Sequence, residues 1–155
     1  MTGAATFSPG CVLAFDVGRK IVGVAVGQRA LGTARALGTF DARDGAFDWP
    51  ALDAFVADWQ PECFVVGLPL RLDGGEQDMT RFARGFAKTL GRRHARPVYE
   101  IDERHTSREA SRRFATQRAQ GLARRKHAES IDALAAQVIL ESWMSTTTES
   151  SVTPS

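Results

Sequence analysis

Only two cysteines occur in the 155 residues, Cys11 and Cys63, too few for a disulfide framework. Each sits in an apolar run, so both are expected as buried, reduced thiols of a cytoplasmic protein. No apolar run approaches the roughly 20 residues that cross a bilayer, and no membrane contact is expected. The first ten residues carry neither a basic nor an apolar leader region, so no secretory signal is expected. His94, His105 and His127 have no zinc spacing with the cysteines. No Gly-x-Ser-x-Gly elbow is present, and neither cysteine has the polar setting of a nucleophile. The single tyrosine, Tyr99, falls in a predicted strand, so no platform for stacking single-stranded bases is visible. There is no internal repeat and no second domain.

What is present is ordinary in amount and uneven in place. Hydrophobic residues make up 43% and charged residues 25%, which argues against global disorder. A chain of this size buries roughly two-thirds of its unfolded surface without staples. The formal net charge is only +2, yet Arg81 to Lys126 holds 14 basic and 4 acidic residues. The remainder is therefore acidic. A solvated helical face is the bland reading of such a run. Most of the excess is arginine, however, whose planar fork grips phosphate in bidentate fashion, and the lopsided field fits a polyanion binder.

The hydrophobic pattern predicts strands over Cys11 to Phe15, Ile21 to Val26 and Thr33 to Phe40, joined as an antiparallel meander. Asp16 to Lys20 reads as the first turn. Leu52, Phe55, Val56 and Trp59 mark an amphipathic helix capped by Asp48, with Pro50 in its first turn and Pro61 ending it. Cys63 to Leu68 is a strand buried on both faces. A second helix carries Met79, Phe82, Ala83, Phe86, Ala87 and Leu90, with Asp73 and Glu76 at capping-box spacing and Gly91 at its C-terminal cap. Pro97 to Ile101 is the last strand. Thr106 and Glu109 open a short helix, Thr116 to His127 is a loop, and a mostly apolar helix covers Ser130 to Met144. Residues 1–10 and 145–155 are expected to be disordered, leaving one domain over 11–144. The order predicts an α/β fold, a mixed sheet with helices on both faces.

Three groups of acids sit at element ends. Asp16 closes the first strand, Asp102 and Glu103 follow the last, and Asp132 lies in the first turn of the final helix. If the first, fourth and fifth strands are parallel neighbours, Asp16 and Glu103 meet at one rim and the helix can lay Asp132 beside them. Gathered carboxylates repel, so such a cluster needs a cation, and oxygen-only ligands suit Mg²⁺ or Mn²⁺. Each acid also has a bland reading: a turn residue at Asp16, surface ion pairs at Asp102 and Glu103, a helix-dipole partner at Asp132. Asp16-x-Gly18-x-x-x-x-Gly23-x-Ala25 is either a hairpin in which Gly23 allows close backbone approach or a phosphate-approach loop. It matches neither the dinucleotide fingerprint nor the Walker pattern.

Four blocks in order carry a resemblance over about residues 11–144. They are Leu13 to Gly18 with Gly23 to Gln28 and Gly32 to Arg35; Val65 to Leu70 with Asp73-Gly74 and Glu76-Gln77; Asp102-Glu103-Arg104 with Thr106-Ser107 and Glu109-Ala110; and Ile131-Asp132 with Ala135-Ala136 and Ile139 to Ser142. Together they resemble the YqgF-type, RNase H-like family of pre-16S rRNA nucleases, also described as Holliday junction resolvases. The resemblance implies an RNase H-like five-stranded sheet in the order 3-2-1-4-5. It implies a divalent-metal nuclease whose acids map onto Asp16, Glu103 and Asp132, with Asp102 as a further metal ligand. The implied partner is nucleic acid: structured RNA such as precursor ribosomal RNA, or branched DNA, with ribosomal particles as a further partner and the chain a monomer or weak homodimer. Arg19, Lys20, Arg104, Arg108, Arg112, Arg113, Arg124, Arg125 and Lys126 are the expected phosphate contacts. Two other readings stand beside it. One is a non-catalytic RNA-binding module on the same fold. The other is an actin-like ATPase lobe, which also opens on an Asp-x-Gly hairpin but needs a second lobe that 155 residues do not supply.

Overall fold

A computed structural model describes residues 8–69, 75–102 and 127–151, with side chains in the last stretch described for 131–146. Five strands, β1 (Ser8–Val17), β2 (Ile21–Gln28), β3 (Thr33–Asp41), β4 (Pro61–Leu68) and β5 (Val98–Asp102), form one sheet in the order 3-2-1-4-5. β1, β2 and β3 are the expected antiparallel meander, and β4 and β5 add to β1 in parallel. Helix α1 (Trp49–Trp59) and helix α2 (Asp78–His94) cover one face, and helix α3 (His127–Ser151) covers the other.

Strand alternation sorts the core into two layers. Leu13, Phe15 and Val17 of β1 join Val22, Val24, Phe64 and Val66 under Leu52 and Val56 of α1 and Phe86 and Leu90 of α2. Val12 and Ala14 face the other way, with Ala25, Cys63 and Val65, against Ala136, Ile139, Leu140 and Trp143 of α3. Both thiols are buried and free, as expected. Burial pushes them up, Cys63 to about 11, so they act as small apolar groups.

The surface of β2 under α3 is made almost flat. Gly23, Ala25 and Gly27 share that face. A Cβ on Gly23 would overlap the backbone carbonyl of Asp132, and one on Gly27 would crowd Leu140, Met144 and the Thr33 carbonyl. Of the two sequence readings of Gly23, close backbone approach is the one observed. Gln137 ties the same helix to the sheet edge: its Oε1 accepts from the Ala36 N–H at 3.1 Å.

Several boundaries differ from the sequence expectations. β1 begins at Ser8, inside the segment expected to be disordered, because the Ser8 N–H donates to the Gln60 carbonyl (2.7 Å) and the Gly10 carbonyl accepts from Arg29. Asp16 and Val17 belong to the strand rather than the turn. Asp48 caps α1 as expected, through the Ala51 N–H, but the helix ends on Gln60 in the left-handed conformation, and Pro61 already starts β4. α2 starts at Gln77 rather than through Asp73 and Glu76: the Gln77 N–H donates to the Thr80 hydroxyl, which donates to the Pro69 carbonyl, and Glu76 turns to Arg84 instead. Asp73 lies outside the described residues. Gly91 is inside α2, which runs on to His94. Ala95 is the left-handed cap, and its N–H donates to the Gly91 carbonyl. α3 is already helical at His127, where the described residues resume, so Asp132 lies beyond the first turn, and the helix continues to Ser151 through residues expected to be disordered. No proline or glycine interrupts that stretch. The helix expected after Thr106 and the loop from Thr116 lie outside the described residues.

Gly23→Ala should lower stability in urea denaturation by at least about 1–3 kcal/mol, the usual cost of overpacking. Gly85→Ala, at an exposed helical position where a Cβ meets nothing, should raise it by about 0.5–1 kcal/mol. Equal midpoints for Gly23→Ala and the parent would show that α3 does not rest on β2 in this way.

Candidate carboxylate site

The site grows from one cross-strand pair. Asp16 on β1 stands opposite Gly23 on β2. It shares parity with Val12 and Ala14, so it turns to the α3 face. Because Gly23 has no side chain, α3 sets the Asp132 backbone directly on that position. Residues 116 apart in sequence are thereby brought to one end of the sheet, at the carboxyl end of β1, as the sequence reading expected of them.

The electrostatics follow from the packing. Asp16 is half-buried, and its carboxyl is pushed from 3.8 to about 7, first by burial and then by the Asp132 charge. Burial also raises Asp132, likewise half-buried. Among the described residues no arginine or lysine pairs with either carboxylate. The bland readings, a turn aspartate and a helix-dipole partner, account for neither the burial nor the coupling.

The remaining candidates fall into place unequally. Asp102 ends β5 opposite Leu68. It has the parity of Val98, which packs with the α1–α2 layer, and of Glu100, which meets Arg84 of α2. Ile101 and Tyr99 carry the other parity and meet the α3 layer. Glu103 lies outside the described residues, as do Arg104, Arg108, Arg112, Arg113, Arg124, Arg125 and Lys126. Among the described residues no three His, Cys, Asp or Glu side chains form a metal-holding group. Arg19 and Lys20 are exposed on the β1–β2 turn that follows β1, with the Arg19 guanidinium 5.0 Å from the centre of the ring of Phe82, a residue of the α1–α2 layer.

Part of the arginine excess has a local use. Arg93 forms a bidentate pair with Asp53 (2.9 and 2.6 Å), Arg81 pairs with Asp78, and Arg84 with Glu76 and Glu100. One feature escaped the sequence reading. Tyr99, placed there in a strand and dismissed as a stacking platform, is exposed and lies against Trp143 of α3. Alternation over Val98 to Asp102 fixes its face, but no sequence signal pairs it with a residue 44 positions away.

Comparison with known proteins adds three findings. A family model described as "RuvX: Holliday junction resolvase" matches residues 10–146. A protein of Xanthomonas oryzae pv. oryzae named "Putative pre-16S rRNA nuclease" is 44% identical over 145 residues, 94% of each chain, and one of Xylella fastidiosa with the same name is 46% identical over 138 residues, 89% of each. Among solved structures, Thermus thermophilus RuvC in complex with a Holliday junction substrate gives a TM-score of 0.53 at 16% identity, covering 90% of this chain and 96% of that one. Fowlpox virus resolvase with Holliday junction DNA gives 0.55 at 12% identity, covering 88% and 98%. The fold is that of these resolvases, RNase H-like, as expected.

The Asp16 shift has a thermodynamic sign. Between the ordinary carboxylate value and about 7, the folded chain keeps a proton that the unfolded chain has released, so rising pH removes stability across that window. In EDTA the melting temperature should fall from about pH 5 to about pH 8, and Asp16→Asn should flatten that fall and melt above the parent at the upper end. A parent that melts higher as pH rises, with Asp16→Asn behaving identically, contradicts the arrangement.

Proposed function

We propose, because this chain belongs to the RuvX family, that it is a nuclease hydrolysing phosphodiesters of precursor 16S ribosomal RNA with the Asp16–Asp132 end of its sheet as the active site. The observation that carries this reading is the pair itself: two carboxylates from opposite ends of the chain, half-buried together with no described cation beside them.

An oxygen-only pair held against its own repulsion is a donor set for a hard divalent cation, Mg²⁺ or Mn²⁺. Asp16 and Asp132 would hold it. Glu103 is the third ligand in this reading because the family resemblance maps an acid there, while Asp102 has the parity of Glu100, which meets Arg84 of α2. A bound divalent ion would supply Lewis-acid polarisation of the phosphodiester and a lowered pKa for the attacking water. The chain's part is to fix the acids on rigid elements, strand and helix. Phosphates on either side of the cleaved bond would be gripped by Arg19 and Lys20 on the β1–β2 turn and by Arg104, Arg108, Arg112, Arg113, Arg124, Arg125 and Lys126, setting register without reading bases. The nuclease domain runs from Ser8 of β1 to Ser151 of α3, beyond the 11–144 expected, acting as a monomer or weak dimer in the cytoplasm and meeting its RNA on ribosomal particles. No helix among the described residues is long and apolar enough to cross a membrane.

Purified protein should cleave precursor 16S RNA in Mg²⁺ or Mn²⁺ and not in EDTA. Asp16→Asn and Asp132→Asn should each reduce cleavage at least about 100-fold, as expected when several kcal/mol of transition-state stabilisation are lost, while the far-ultraviolet spectrum is kept. Affinity should fall steeply with salt. Cleavage undiminished in either variant would exclude the assignment, and preferential cleavage of a four-way DNA junction would move the substrate to branched DNA.

A further inference from the structure

Aromatic side chains gather at a second place on the α3 face. Tyr99 is 46% exposed although it lies on a strand. Its ring meets that of Trp143, with centroids 5.4 Å apart and planes at 35°. Trp143 is only 8% exposed. The Arg29 guanidinium, on the turn after β2, lies 5.7 Å from the centre of the Trp143 ring and is itself held by Glu62 at 2.7 Å. Trp143 is thus fixed from two sides, and it backs Tyr99.

Register relates this platform to the carboxylates. Tyr99 is level with Val65 of β4, and Val65 with Ala14 of β1, two residues before Asp16 on the same face. Two strand spacings across and two residues along put its Cα roughly 12 Å from that of Asp16. Half-buried Ile101 lies next to Tyr99 on the same face of the strand, nearer the carboxylate end. Stacked nucleotides advance about 3.4 Å each and splayed ones further, so the gap spans about two to four nucleotides.

We propose that Tyr99, backed by Trp143, is a stacking platform for an unpaired base of the substrate, about two to four nucleotides from the scissile phosphate. The proposal rests on the nuclease reading above. Its chemistry is that of a ring face rather than of charge, since Glu62 already engages Arg29. Bases within a duplex are stacked on one another and offer no free face, so the platform selects single-stranded flanks. Such a contact favours a substrate trimmed beside an unpaired extension over one whose arms are paired throughout.

The test separates binding from hydrolysis. In the full-length Asp16→Asn protein with EDTA, a fluorescein-labelled oligo(A) of about ten nucleotides is titrated by anisotropy. Adding Tyr99→Ala should weaken binding at least about 5-fold, while Tyr99→Phe should stay within about 2-fold, because stacking on one ring contributes about 1–3 kcal/mol. With the parent enzyme, a scan of single abasic nucleotides should find one position on one side of the cut where KM rises and kcat is kept. The proposal is overturned if Tyr99→Ala binds as the parent does, if Tyr99→Phe is as weak as Tyr99→Ala, or if no abasic position is sensitive. It is overturned as well if Tyr99→Ala changes only concentration-dependent self-association, which would make this face a contact between copies. Tyr99-dependent binding without metal-dependent cleavage would support the platform and refute the nuclease reading. Asp16-dependent cleavage with Tyr99-independent binding would do the reverse.

Discussion

The structure depends on one backbone-to-backbone contact. At Gly23 the sheet has no side chain, and the carbonyl of Asp132 occupies the space a Cβ would need. Gly23 is also the cross-strand partner of Asp16. The residue that lacks a side chain therefore stands beside the one whose carboxylate matters, and the helix that exploits the gap brings the second carboxylate with it. Ala25 and Gly27 extend the same flat track, so α3 is seated along β2 rather than pinned at a point. Interiors are close-packed and do not deform continuously. One methyl group at Gly23 is thus enough to separate the two acids.

That seating works against electrostatics. Burial raises the proton affinity of both carboxylates, and the Asp132 charge adds to it at Asp16, which retains its proton toward neutrality. The apolar layers on both faces of β1 and β4 supply the stability that tolerates this. Elsewhere the protein neutralises its acids, Asp53 with Arg93 and Glu76 with Arg84. These paired acids contrast with Asp16 and Asp132, which no described arginine or lysine neutralises, and that contrast marks the two as the candidate site.

Much of this was legible in the residues. The wholly apolar run Cys63 to Leu68 announced a strand covered on both faces, and the meander followed from three short strands with brief connections. Asp48 and Pro50 placed the start of α1 because a cap is a local device. Asp73 and Glu76 misled for the same reason: their spacing is right, but the Thr80 hydroxyl is anchored to the Pro69 carbonyl, a contact outside the helix. Gly91 looked like a terminus, yet the packing of α2 carries the helix one turn further. The pairing of Asp16 with Asp132 could be expected from sheet topology and family resemblance, whereas its cause, a carbonyl resting on Gly23, is a three-dimensional fact that composition only hints at. Tyr99 was correctly placed in a strand, but its exposure and its ring partner 44 residues away are tertiary properties that the sequence does not show.

The central claim is that the fold forces Asp16 and Asp132 into electrostatic contact. The most direct measurement is an NMR titration of the Asp16 side-chain carboxyl carbon in metal-free protein, repeated in Asp132→Asn. The account predicts a midpoint of about 7 in the parent and a lower one in the variant, still above the ordinary carboxylate value because burial persists. A parent midpoint near 3.8, or the same midpoint in both proteins, would contradict it.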